Sequence, residues 1–576
     1  MTDDLRELEA MARRWMDDDP DPATREETAR MLDAGDTDAL REAFGARLEF
    51  GTAGLRGVIG PGPNRMNRAL VRRVTAGLAD HLLARQSRAR EMGVVVGGDA
   101  RRLSPELAED TARVLVGKGI RVHFFEDFVP TPVLAYAVRR LGAAAGVIVT
   151  ASHNPPEYNG YKVYWDNAAQ IVPPHDRGIS AAIDRVDSVA DLAMPTLDGA
   201  REQDLLRTVG ESVLEDYYAE LLAQRRHPDV PKEIRVVYTA MHGVGGRFVT
   251  EVLHRAGYAN VHPEAAQYQP DGEFPTVRFP NPEEDGAMDL SMALAREHGA
   301  DVVLANDPDA DRLAVGVPTG GGDYRLLTGN EIGCLLAYYL LTENPPAESD
   351  PLVMTTIVSS RMLQAMAHEL GAHYDETLTG FKWIANVSQR HARERGWHFV
   401  MGYEEALGYT VGPVVPDKDG VGAALIFTEI AAVCRSRGLT LVEYLEQMVR
   451  RFGSYVSHQH SLTLPGQEGA AKIAAIMDAF RAEAPDRIGE HAVVRVVDYA
   501  DGHEELPPSN VLAFDLEGGG QVLLRPSGTE PKIKYYFELS EQPDEDEEVA
   551  RARERATRRL DALVQAFLAL AEERVR

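Results

Sequence analysis

Val147–Asn159 reads VIVTASHNPPEYN. Three β-branched residues, Val147, Ile148 and Val149, suit a buried strand, and the paired prolines cannot continue one. The run therefore predicts a strand that stops at Thr150 in a tight polar loop, Ala151 to Pro156. That loop presents a hydroxyl beside an imidazole at the carboxyl end of a strand, which is where α/β sheets bind ligands. A serine is a weak nucleophile until something activates it. The rest of the chain decides what the activator is.

Outward from this loop a strand–turn–helix–strand grammar recurs. Val94–Val96 leads through Gly97-Gly98-Asp99 to a helix with Ser104 at N-cap and Pro105 at N1, then to Val122–Phe125. The same layout returns at Ile234–Tyr238 with the turn Gly243-Val244-Gly245-Gly246, and again from Leu352 through Ser359-Ser360 to Tyr374. Each is a βαβ unit. The Gly-Val-Gly-Gly turn lacks full G-x-G-x-x-G spacing, so it reads as strand-to-helix geometry. Beyond 450, strands at 460–464, 493–497, 511–516, 522–524 and 533–537 with helices at 468–483 and 545–576 predict a smaller α+β domain. Residues 1–48 read as a helical surface arm, broken at Pro20 and Pro22, with Thr24 and Glu27 as a capping box.

The chain has 576 residues, too many for one core. A formal net charge of −29 argues against nucleic acid and anionic membrane as partners. Cys334 and Cys434 are too few for a disulfide framework and read as reduced core residues. No signal peptide and no membrane-length apolar run is evident, which predicts a cytoplasmic protein.

Asn306-Asp307-Pro308-Asp309-Ala310-Asp311-Arg312 follows the apolar strand Val302–Ala305. Carboxylates at i, i+2 and i+4 of an extended segment point one way and repel unless a cation sits among them. Mg²⁺ suits such hard oxygens. An EF-hand fails here, because Arg312 stands where that loop needs Gly and Pro318 where it needs Glu. Arg525-Pro526-Ser527-Gly528-Thr529-Glu530-Pro531, followed by Lys532 and Lys534, combines a bidentate donor, hydroxyls and free backbone N–H groups into a phosphate cradle. Glu404-Glu405 in a Gly-bounded loop can grip vicinal hydroxyls of a sugar. Phe50-Gly51-Thr52-Ala53-Gly54-Leu55-Arg56-Gly57, Thr379-Gly380-Phe381-Lys382 and Asp417-Lys418-Asp419-Gly420 place single cations in Gly turns.

In this order the motifs resemble the α-D-phosphohexomutase superfamily over essentially the whole chain, most closely the branch with phosphoglucomutase-2 and phosphopentomutase. The resemblance implies four domains around a central cleft, three similar α/β and a C-terminal α+β, here 1–210, 211–325, 326–450 and 451–576. It implies that Ser152 carries a phosphoryl group and that Ser152, Asp307, Asp309 and Asp311 hold one Mg²⁺. A sugar 1-phosphate would become the 6-phosphate through a bisphosphate, with glucose 1,6-bisphosphate as activator. Arg56 and Arg312 would neutralise charge beside Ser152. Thr379, Gly380, Lys382, Glu404, Arg525, Ser527, Gly528, Thr529 and Lys534 would bind substrate. Lys418 matches the position of the general base, with His153 and Lys162 as alternatives. Ala406 stands where many glucose-specific members have Ser, which leaves glucose, pentose and mannose phosphates open, with glucose first. A metal-dependent phosphatase and a non-catalytic sugar-phosphate sensor are the rival readings. A monomer or weak homodimer is expected.

Overall fold

The structure is a computed structural model and describes residues 3–51, 54–345, 350–464, 466–527 and 532–574. The first sheet contains β1 (Leu55–Val58), β2 (Val94–Gly98), β3 (Val122–Phe124), β4 (Ala145–Val149), β5 (Tyr158–Trp165) and β6 (Leu206–Thr208), in the order β1-β5-β4-β2-β3-β6. Strands β4, β2, β3 and β6 run parallel, and β5 returns antiparallel beside β4. All five residues of β2 and of β4 are buried, as strands covered by helices on both faces must be.

The second sheet holds β7 (Val236–Thr239), β8 (Val261–Pro263), β9 (Val302–Ala305), β10 (Ala314–Gly320) and β11 (Asp323–Leu326), ordered β11-β10-β9-β7-β8. The third holds β12 (Pro351–Thr356), β13 (His373–Thr377), β14 (His398–Glu404) and β15 (Gly408–Val411), ordered β13-β12-β14-β15. Both repeat the scheme of the first: a parallel core, then an antiparallel return from β9 to β10 and from β14 to β15. The three expected βαβ units are therefore present, and each ends in a parallel-to-antiparallel return.

The fourth sheet is antiparallel throughout: β16 (Ser454–Thr463), β17 (Arg487–Ile488), β18 (His491–Asp498), β19 (Leu512–Leu516), β20 (Gln521–Pro526) and β21 (Lys532–Glu541), ordered β16-β21-β20-β19-β18-β17. Helices Gly466–Ala482 and Val549–Glu573 cover one face through Ile476, Phe480, Leu563 and Phe567. This is the expected α+β domain.

The N-terminal helices Asp3–Asp18, Pro22–Ala34 and Thr37–Phe44 form a small core around Leu8, Leu40 and Phe44, pinned to the first domain where Asp18 accepts from Ser188 Oγ at 2.6 Å and pairs with Arg73. Two expected caps differ. Asp21, not Thr24, caps the second helix, accepting from Ala23 N at 2.9 Å, because Pro22 occupies N1 and the Thr24 hydroxyl is taken by Asp19. Ser104 is the first helical residue after a left-handed Leu103 (φ +62°), and its hydroxyl is spent on Asp99 at 2.7 Å. Cys334 and Cys434 are free and buried, as read from sequence. Among the described residues no helix is long and apolar enough to cross a membrane.

Candidate active site

The three parallel-to-antiparallel returns converge. The first carries Ser152. Its φ of +52° is left-handed, a conformation that costs a non-glycine residue about 1–2 kcal/mol. The loop is held in it from behind. Thr150 Oγ1 accepts from Ser152 N at 2.9 Å and donates to Asp99 at 2.6 Å. Arg101, with no side-chain exposure, donates to the carbonyls of Pro155 (2.8 Å), Tyr158 (3.2 Å), Ser152 and Asn154, and pairs with Asp99. Four carbonyls turned onto one guanidinium leave the Ser152 hydroxyl on the opposite side, toward the second domain. Sequence reading missed Asp99 and Arg101. The signal was a Gly-Gly-Asp turn ending a buried strand, but the four carbonyl partners lie more than fifty residues downstream.

Ser152 Oγ donates to Asp307 Oδ2 at 2.7 Å, so the first return meets the second directly. Asp307, Asp309 and Asp311 are buried, with one carboxylate oxygen of each within 4.8 Å of the others. Burial and its two neighbours push Asp307 well above the usual carboxylate range. At Asp309 the Lys162 ammonium outweighs burial and holds it low. Asp309 Oδ1 and Asp311 Oδ1 are buried and have no hydrogen-bond partner among the described residues. Orphaned anionic oxygens cost too much to leave unmet, and a hard divalent cation fits such an oxygen set. Backbone from neighbouring elements closes around the aspartate loop. A Cβ on Gly243 would stand 2.4 Å from Pro308 Cα, and one on Gly420 would stand 2.3 Å from the Arg312 carbonyl. The Gly-Val-Gly-Gly turn thus packs under the aspartate loop, with Val244 N donating to Pro308 O at 2.8 Å.

Cations surround the triad. Lys162 Nζ lies 2.7 Å from Asp309 and 3.1 Å from Asp311, and Lys418 Nζ lies 3.1 Å from Asp311. Burial opposes both charges, but the carboxylates win and hold both amines above the ordinary lysine value. Arg312 N donates to Asp307 Oδ1 at 3.1 Å, and its Nε stands 4.0 Å from Asp307 and Asp311. Arg56, on β1, donates to Asn154 Oδ1 at 3.0 Å beside the serine loop. His153 Nδ1 is 3.3 Å from Ser152 Oγ. Burial first, then Arg312 and Arg56, push its imidazole well below the usual value, so the ring is neutral. Asp417, given no role of its own from sequence, positions Lys418. It accepts from Tyr164 OH (2.7 Å) and Gln170 (2.8 Å) of the first domain and from the Lys418 backbone (2.7 Å). A Cβ on Gly408 would meet the Lys418 Cδ at 2.3 Å, so glycine is what lets that side chain pass.

A second group gathers at the third return. Glu404, at the end of β14, accepts from Gly380 N at 2.7 Å, and Glu405 accepts from Ser359 Oγ at 3.2 Å. Burial and Glu404 push Glu405 up to about 7. Thr379 Oγ1 is buried without a hydrogen-bond partner among the described residues. Lys382 is pushed down to about 8 by burial, with Glu404 and Arg525 acting on its charge. Burial also lowers Lys534, whose nearest charges include Glu405 and Arg525. Arg525 and Lys534 are cross-strand partners, and Ser527 N donates to Lys532 O at 2.7 Å where the strands turn. Gly528 and Thr529 of the expected cradle, and Thr52 and Ala53 of the Gly-rich loop, lie outside the described residues.

Four family models match in chain order: the phosphoglucomutase/phosphomannomutase alpha/beta/alpha domains I (residues 47–190), II (215–321) and III (328–452), and the C-terminal domain (467–556). The chain belongs to the phosphoglucomutase/phosphomannomutase family. It is an enzyme of the phosphohexomutase superfamily, an intramolecular phosphotransferase. Relatives include a probable phosphoribomutase of Schizosaccharomyces pombe, 38% identical over 555 residues (92% of this chain, 93% of the relative). The human phosphopentomutase is 37% identical over 567 residues (93% and 92%). The fold is that of the Paramecium phosphoprotein pp63/parafusin in its open form, with a TM-score of 0.67 at 19% identity, covering 90% of this chain and 96% of that one.

Proposed function

We propose that this mutase moves a phosphoryl group between the anomeric and terminal hydroxyls of a sugar phosphate by way of Ser152. The observation that carries the reading is the Ser152 Oγ–Asp307 contact, a left-handed serine hydroxyl aimed into a buried carboxylate triad with two unmet oxygens. The sugar hydroxyl attacks the phosphorus on Ser152, the bond from phosphorus to Ser152 Oγ breaks, and a bisphosphate forms. It turns over in the cleft and returns its other phosphoryl group to Ser152. Ser152, Asp307, Asp309 and Asp311 would hold Mg²⁺, which neutralises charge on the transferring group. Arg56 and Arg312 add fixed positive charge where the equatorial oxygens gather.

The hydroxyl proton needs an acceptor. Lys418 is the first candidate by position, with Lys162 and His153 beside it. Asp311 and Asp417 favour the charged form of Lys418 as it stands, whereas burial, Arg312 and Arg56 favour the neutral form of His153. Thr379, Gly380, Lys382 and Glu404 would bind sugar hydroxyls, and Arg525, Ser527, Gly528, Thr529 and Lys534 the phosphate that is not reacting. Domain boundaries near 210, 325 and 450 are supported by the ends of β6, β11 and helix Leu441–Phe452.

Glucose 1-phosphate, with glucose 1,6-bisphosphate as activator, is the first substrate proposed. Ribose or deoxyribose 1-phosphate is the second reading. It is favoured by Ala406, which offers no hydroxyl at the sugar loop, and by the names of the fungal and human relatives. Intact mass and peptide mapping after incubation with glucose 1,6-bisphosphate test the mechanism. Phosphate is expected on Ser152 and absent from Ser152→Ala. A wild-type chain never modified there ends the mutase reading, and phosphate release equal to substrate consumed makes the protein a phosphatase.

A further inference from the structure

The phosphate cradle rides on the fourth domain, and the register of that sheet shows what holds it. Asp515, Gln521 and Glu538 are cross-strand partners on β19, β20 and β21 and form one row. Two residues along, Val497, Ala513, Leu523 and Tyr536 form the next row on the same face. Two further along, Arg525 and Lys534 form the cradle row. The middle row is apolar and packs on Ile357, Val358 and Leu378 of the third domain. The first row docks on the turn that follows. Arg361 Nη2 donates to Asp515, and Arg361 N, at the start of helix Met362–Leu370, donates to Glu538 Oε1 at 2.9 Å.

The same turn reaches the sugar loop from its other side. Ser359 Oγ donates to Glu405 Oε2 at 3.2 Å and accepts from Glu405 N at 3.2 Å. Lys534, in the cradle row, has Glu405 among its electrostatic partners. Ser359-Ser360-Arg361 therefore holds the sugar loop with one residue and the cradle's sheet with another. The docking row and the cradle row are four residues apart along β21, about 14 Å at 3.4 Å per residue. A tilt at Arg361, carried along the strands, would move Arg525 and Lys534 relative to Ser152.

We propose that Arg361, through Asp515 and Glu538, is a specificity-determining positioning residue: it fixes the distance between the phosphate cradle and Ser152, and so selects sugar phosphates by the span between their two phosphate positions. The inference rests on the mutase reading above. A pentose bisphosphate is one carbon shorter than a hexose bisphosphate, so a joint that fixes the gap favours one of them and a loosened joint favours neither.

The test compares wild type, Arg361→Lys, Arg361→Ala and Glu538→Gln with α-glucose 1-phosphate and α-ribose 1-phosphate. Each assay contains Mg²⁺ and the matching bisphosphate, and kcat and KM are recorded beside thermal melts and hydrogen exchange over 521–538. For Arg361→Ala, KM should rise about tenfold, as expected when the competent pose is populated a tenth of the time. The kcat/KM ratio between the two sugars should move toward one, and exchange in 521–538 should quicken. Lysine, which keeps the charge but not the fork, should fall between. Glu538→Gln keeps an acceptor for Arg361 N and should shift the ratio least, and Arg361→Lys reports on the joint if the alanine variant does not fold. Two outcomes overturn the inference: an unchanged sugar ratio in variants whose melting has dropped, or a loss confined to kcat. If the wild type turns over neither sugar phosphate, the mutase reading fails and takes this inference with it. If the wild type turns over one and the ratio never moves, only this inference fails.

Discussion

The two ends of the cleft are built differently. Around Ser152 the first three domains are sewn together by buried, charged hydrogen bonds: Ser152 to Asp307, Thr131 to Asp309 at 2.6 Å, Lys162 to Asp309 and Asp311, and Tyr164 and Gln170 to Asp417. Around Arg525 the fourth domain is held to the third by Arg361, by Asn330 to Ser457 at 3.0 Å, by Arg553 to Glu331 at 2.6 Å, by Arg390 and Arg395 to Glu505, and by apolar packing. The half proposed to do the chemistry is tied across three domains, and the half proposed to read the distant phosphate is tied to the third. Preorganisation matters most where charge develops, while a bisphosphate that must turn over needs its far end received at either phosphate.

Breaking the sewn half should cost most. Asp309→Ala removes a triad carboxylate together with partners of Lys162 and Thr131, and Mg²⁺-dependent turnover in a coupled assay should fall about 10³-fold. Arg101→Lys cannot span four carbonyls, so the serine loop should drift. A displacement near 1 Å costs about 10²-fold, seen in kcat with KM nearly unchanged. On the one-sided half, Arg525→Ala should act the other way. Loss of a charge-assisted contact of about 1.5–3 kcal/mol raises KM tenfold or more and spares kcat, and equal losses in both constants would erase the distinction drawn here.

The smallest effect is one of pH. Burial pushes Glu538 up to about 7 from the 4.5 of a free glutamate. Between those values the folded chain holds a proton that the unfolded chain has lost. The stability owed to this group therefore falls as pH rises from about 4.5 to about 7 and is level above. The wild-type melting temperature should decline across that window relative to Glu538→Gln, and parallel curves would place the proton elsewhere.

How much could be read in advance follows the same division. Each site loop stood in the sequence as an apolar run broken by polar, Gly- or Pro-rich residues, because strand burial and loop chemistry are local. That Asp307, Asp309 and Asp311 converge was legible, although a turn closed by Ala310 N to Asp307 O at 2.9 Å brings them together and not the extended run expected. Arg101, Asp417 and Arg361 were not, since each works on backbone or side chains more than fifty residues away or across a domain boundary. Thr24 and Ser104 misled for a related reason: their hydroxyls suit a cap, but Asp19 and Asp99 compete for them and win.

The returns that carry Ser152, the aspartates and Glu404 all leave the last parallel strand and come back along an antiparallel neighbour. Such a return behaves as a cartridge. Its two ends are locked in register by the sheet, while Leu407 within it is buried in the core and Gly408 leaves room for Lys418, so only the polar residues between can be exchanged freely. Grafting residues 404–406 between relatives with different sugars, with Leu407 and Gly408 kept, should therefore give folded hybrids.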